Sequence, residues 1–228
     1  MNKQICYLGI AGFLIFASVG SAQYTMDLTG VGDGVSADGV YVSPYNGTIT
    51  PDGSANPSYS GYMICDDFNT ESFLGTPWTA TSTNAGNLNG TEKFTTSSNT
   101  YNGVTTTVQQ NYDAVAWLAN GLLASSNVTN ATAQINYSFA IWDIFNNSTP
   151  SDPVGGASSL ITQAFAAVAG GYVGSDVTVY TASDLPNHAA SQEFLVMTPE
   201  PGSPAILGFD LLSVLAILFF LRRYRARA

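Results

Sequence analysis

Basic residues are nearly missing from the interior of this chain. Of its six Lys and Arg, Lys3 stands near the start and four arginines at the very end. Residues 23–201 therefore carry fifteen acidic side chains against the single Lys93, a formal charge of about −14. A body so charged makes no phosphate contacts and releases no counterions, which excludes nucleic acid as a partner and disfavours anionic lipid surfaces. Cysteine is almost as scarce: Cys6 and Cys65 are the two in the chain. Histidine occurs once, as His188 in the loop-like DLPNHAAS, so any nucleophile has little choice of base. No HExxH, GxSxG, P-loop or dinucleotide fingerprint is present, and no cofactor is implied. What the chain does have is bulk. Twelve Tyr, twelve Phe and three Trp in 228 residues supply the burial that a disordered, highly charged segment lacks.

The two ends differ from the body. MNKQICYLGIAGFLIFASVGSAQ places one lysine before an apolar stretch and small residues at Gly20 and Ala22, the pattern of a secretory signal peptide cut after Ala22, which removes Cys6. Near the other end, residues 204–221 form an apolar run interrupted by Asp210. As a transmembrane helix it would reach about 27 Å, nearly the hydrocarbon thickness. Arg222, Arg223, Arg225 and Arg227 follow it and hold that end on the cytoplasmic side, leaving everything before the span outside. The expected division is a signal peptide over 1–22, an exported domain over 23–198 and a tail over 199–228.

Pro199-Glu200-Pro201, a short spacer, one apolar span and a terminal arginine cluster together resemble the PEP-CTERM sorting signal of Gram-negative bacteria. The resemblance implies two processing partners, signal peptidase and an exosortase that cleaves near the Pro-Glu-Pro, and a transient stay in the inner membrane of a cell that makes exopolysaccharide. Asp210 inside the span, and Tyr224 and Ala226 among the arginines, depart from that pattern. A plain single-pass anchor is the alternative for the same residues.

For the body, short β-prone pieces at 40–42, 59–68 and 73–78 read as antiparallel strands. Residues 79–108, rich in Ser, Thr, Asn and Gly, read as long hairpins or an exposed loop. From Gln109 the period changes, with Tyr112, Val115, Leu118 and Leu122 at helical spacing. Second and third helices are expected over 131–145, with Asn130 as its cap, and over 157–169, stopped by Gly170-Gly171. Late strands at 177–181 and 193–197 complete an α+β domain, β-rich in its first half with about three helices clustered in the second.

Cys65 in GYMICDDFN is unpaired once Cys6 is gone. It reads as a buried inert thiol, an intermolecular disulfide partner, a nucleophile, or one half of an internal thioester. The carboxylates of Asp66 and Asp67 oppose activation of the thiol. An aromatic-Met-Ile-Cys-Asp strand, followed much later by a helix carrying Ala140-Ile141-Trp142, resembles the thioester domains of bacterial surface adhesins. In that family a glutamine on the helix is the acyl partner of the cysteine. The matching position here is Ser138, and Gln134 lies one helical turn earlier, so the resemblance implies a related fold without the bond. Asp66 and Asp67 are adjacent, and adjacent strand residues point to opposite faces, so they do not flank one glycosidic bond. GDGVSADG, with Asp33 and Asp38, has the content of a calcium turn but not its ligand spacing, and glycine-rich turns explain it equally well. These readings combine into a non-enzymatic exported surface or matrix protein associated with exopolysaccharide or with a matrix bridged by divalent cations. A covalent adhesin using Cys65 and a carbohydrate-active enzyme are the alternatives.

Overall fold

The computed structural model describes residues 22–101, 103–145, 151–183 and 191–197. The N-terminal stretch up to residue 21, Pro199, Glu200 and Pro201, the apolar run 204–221, the four arginines and His188 lie outside the described residues. Among the described residues no helix is long and apolar enough to cross a membrane.

Among the described residues ten strands and three helices follow in the order β1 (Gln23–Gly30), β2 (Ser36–Ala37), β3 (Val40–Tyr41), β4 (Tyr45–Pro51), β5 (Tyr59–Cys65), β6 (Trp78–Asn84), β7 (Thr100–Tyr101), β8 (Val104–Thr105), α1 (Val108–Leu123), α2 (Ala131–Phe145), α3 (Ala157–Ala169), β9 (Val177–Ala182) and β10 (Phe194–Met197). Six of the strands close into an antiparallel barrel in the order β1-β4-β5-β10-β9-β6. The domain is mixed α+β, as expected, but closure of the sheet is a tertiary fact that local sequence does not announce.

The period of two fills the barrel. Met26 and Leu28, Tyr45 and Ile49, Met63 and Cys65, Trp78 and Ala80, Tyr180 and Ala182, Phe194 and Val196 alternate inward to make one core. On β5, β9 and β10 the intervening residues Ile64, Val179 and Leu195 face a second core, built on α1, α2 and α3. Those strands are buried on both faces. Each large side chain fully buried there, such as Phe139 or Leu118, contributes about 1.5–3 kcal/mol relative to exposure.

Local chemistry sets the helix ends. Thr107 and Gln110 form a reciprocal cap on α1, the Gln110 N–H donating to Thr107 Oγ1 at 3.2 Å and the Thr107 N–H to Gln110 Oε1 at 2.9 Å. Asn130 Oδ1 accepts from the Ala133 N–H at 3.1 Å at the start of α2, as the sequence suggests. Asp38 and Gly39 (φ 54° and 83°) make the two-residue turn of the β2–β3 hairpin.

Three expectations need correcting. The strand expected over 73–78 begins at Trp78 and runs to Asn84; the preceding residues form a turn, with Gly75 at φ 66° and its N–H donating to Leu28 O at 2.9 Å. Pro77 has no N–H for a ladder, which is why strand pairing starts only after it. The strand expected over 59–68 stops at Cys65, and residues 66–68 leave the sheet. Of the stretch 79–108, read as long hairpins or an exposed loop, β7 and β8 do form a hairpin, a short one, while its first part is the barrel strand β6, paired with β1 and β9.

Candidate functional site

The site lies where β5 ends beneath the helices. Cys65 is fully buried, and each of its polar atoms is engaged. Its N–H donates to Ser43 Oγ at 3.0 Å, and the Ser43 N–H donates to Ser138 Oγ at 3.0 Å. The Trp142 indole N–H donates to Cys65 O at 3.0 Å, and the thiol donates to Asp67 O at 3.2 Å. Ser138 is thus linked to Cys65 through Ser43. Gln134 points elsewhere, donating to Val128 O at 2.6 Å and to Asp33 Oδ2 at 3.2 Å. Burial pushes the Cys65 thiol well up, and the charge of Asp67 adds to that, so the sulfur is held as a thiol.

The next two residues turn in opposite directions, although both lie past the end of β5 and strand alternation therefore does not reach them. Asp66 turns toward Glu193, the residue just before β10, and both are fully buried. Glu193 is well supplied with donors: the Tyr112 hydroxyl to Oε1 at 2.6 Å, the Lys93 backbone N–H to Oε2 at 2.8 Å, and the Thr181 hydroxyl to Oε2. Among the described residues neither Asp66 carboxyl oxygen meets an N–H or O–H donor. Desolvation, then the charge of Glu193, then that of Asp67, raise the Asp66 carboxyl well above the usual range. Burial raises Glu193 too, while bonds from Thr181, Tyr112 and Lys93 work against the rise. The proton shared by the pair therefore sits on Asp66, which donates it to the Glu193 carboxylate.

Asp67 points to Lys93. The ammonium rests on Asp67 Oδ2 and Thr70 Oγ1, while Asp67 Oδ1 accepts the Asn69 N–H at 3.1 Å. The Gln192 side-chain amide donates to Asp67 O at 2.9 Å. Beside this loop a cavity of about 360 Å³ opens to solvent, with Trp142 and Phe68 in its wall and Tyr41, Phe73 and Leu74 at its rim. Phe73 is 64% exposed and Tyr41 52%, so the rim presents aromatic faces to the exterior.

The sequence singled out Cys65, Asp66 and Asp67, and the fold places all three here. It did not single out Glu193, Tyr112, Thr181, Ser43 or Lys93, which arrive from distant segments. Lys93 had one available signal, as the lone cation in a body of fifteen acids.

No protein-family model matches the chain, and no curated protein matches it in sequence. Among solved structures, the N-terminal thioester domain of fibronectin-binding protein SfbI from Streptococcus pyogenes is similar at a TM-score of 0.41 and 12% identity, over 77% of this chain and 94% of that one. A likeness so distant carries no argument about site or function.

Proposed function

We propose that the chain is an exported, non-enzymatic surface or extracellular-matrix protein, sorted through its C-terminal tail and working in an exopolysaccharide-rich setting. The observation that carries this reading is the joint presence of a signal-peptide pattern at one end and, at the other, Pro199-Glu200-Pro201, an apolar run and Arg222, Arg223, Arg225 and Arg227, on a body of formal charge about −14. Signal peptidase and an exosortase are the processing partners; the inner membrane is a station on the route to the cell surface.

The interior of the body favours a non-covalent role over that of a thioester adhesin. Cys65 is sealed, its neighbours Ser43 and Ser138 are hydroxyls rather than amides, and Gln134 is committed to Val128 and Asp33. The aromatic rim of the solvent-open cavity is the surface best suited to weak contact with a neutral polymer. Divalent cations are a second route of association, bridging this acidic body to an acidic matrix.

The test is the C-terminal residue of the protein recovered from its producing cells. Cleavage close to Pro201, lost together with surface delivery when residues 199–228 are removed, is the expected result. An intact C-terminus on surface-delivered protein, or delivery unchanged by the deletion, overturns the sorting assignment.

A further inference from the structure

We propose that Lys93 and Asp67 close an intramolecular amide, a side-chain cross-link between the loop that follows β5 and the segment that follows β6. Four observations converge on it. The Lys93 ammonium and the Asp67 carboxylate are in direct contact, with side chains only 16% and 1% exposed. Both partners are held in place: Asp67 O takes the Cys65 thiol and the Gln192 amide, Asp67 Oδ1 takes the Asn69 N–H, and the Lys93 backbone N–H is fixed on Glu193 Oε2. Groups fixed in this way react with effective molarities of order 10⁵–10⁸ M. Next to them sits the Asp66–Glu193 pair, whose Asp66 has two buried oxygens without an N–H or O–H donor among the described residues. Finally, the ion pair is largely shut away from solvent, and an amide removes one positive and one negative charge from a region where both are costly to desolvate.

The step balances without an outside reactant. A proton passes from the Lys93 ammonium to the Asp67 carboxylate. The freed Nζ lone pair attacks Asp67 Cγ, forming the C–N bond. The C–O bond to the protonated oxygen then breaks, and that hydroxyl departs with the second amine proton as water. The sum is ammonium plus carboxylate giving amide plus water, with nothing oxidised or reduced. Glu193 is a positioning residue here, acting through the Lys93 backbone.

Because Lys93 is the only Lys or Arg between Lys3 and Arg222, one digestion decides the matter. The protein purified from its producing cells is denatured and treated with trypsin, which does not cut after an amide-linked lysine. The expected result is a body that stays in one piece. Mapping with a second protease should then recover a branched peptide joining the segments around residues 67 and 93, lighter by one water than the two together. Asp67→Ala should restore the cut, and as the digestion is done on unfolded chain the reading survives a folding defect in that variant. Trypsin cleavage of the wild-type chain after Lys93, or a linear peptide containing Lys93, overturns the proposal. Either outcome leaves the sorting assignment untouched.

Discussion

Replacing Asp66 by asparagine tests the carboxyl pair at the heart of the site. In the folded protein Asp66 keeps its proton and gives it to Glu193; in the unfolded chain an aspartic acid loses that proton near pH 4. Between that pH and the raised folded value the native state binds more protons than the unfolded one. Stability is therefore fully present at low pH and falls as pH rises. For one retained proton the slope is about 1.4 kcal/mol per pH unit over the interval between the unfolded and the raised folded value. The asparagine side chain of the variant would still donate to Glu193 through its amide, but it would not titrate. An amide hydrogen bond to a charged carboxylate contributes about 1.5–3 kcal/mol, comparable to the wild-type bond near pH 5. The variant should match wild type at low pH and exceed it increasingly as pH rises. Urea unfolding at a series of pH values reads this directly as a midpoint that declines more steeply with pH in wild type than in Asp66→Asn, where Glu193 alone of the pair still titrates. Tyr112, Asp67, Lys93 and Cys65 also face the pair and are the same in both proteins, so the difference between the curves isolates Asp66. Parallel curves would show that Asp66 is ionised in the native state, and the placement of the proton would be wrong.

Cys65, buried and held as a thiol, should resist maleimide at about pH 8 in native protein and label completely once unfolded; native labelling at the rate of a free thiol would contradict the burial. Gly47→Ala should lower stability by about 1–3 kcal/mol, because a Cβ there would come within 2.7 Å of both Asp27 O and Met63 Sδ across the barrel wall, and calorimetry showing an unchanged transition would refute that.

Much of the fold was legible locally. The helices at Ala131–Phe145 and Ala157–Ala169 follow from continuous periodicity between clear breakers, and β9 and β10 from runs of β-branched and apolar residues. β1 and β4 were not anticipated. QYTMDLTG and YNGTITP mix Gly, Asn, Asp and Pro into strands that gain their burial only when the barrel closes around Met26, Leu28 and Ile49. The 73–78 error came from reading Phe73 and Leu74 as strand residues, although Gly75 and Pro77 mark a turn that leaves both side chains exposed.

The site divides the same way. Strand alternation sets Asp66 and Asp67 apart only if both lie on the strand, and since β5 ends at Cys65 it is the loop after it that directs them to different partners. That Asp66 meets Glu193 and Asp67 meets Lys93 required contacts between segments far apart along the chain, which nothing in the local pattern encodes. By itself the sequence determined the acidity of the body, the unpaired Cys65 and the character of both ends, since charge, residue count and apolar length need no folding to be read. The tertiary structure alone decided which carboxyl keeps its proton and which faces the single lysine of the body, because desolvation and proximity exist only once distant segments have packed together.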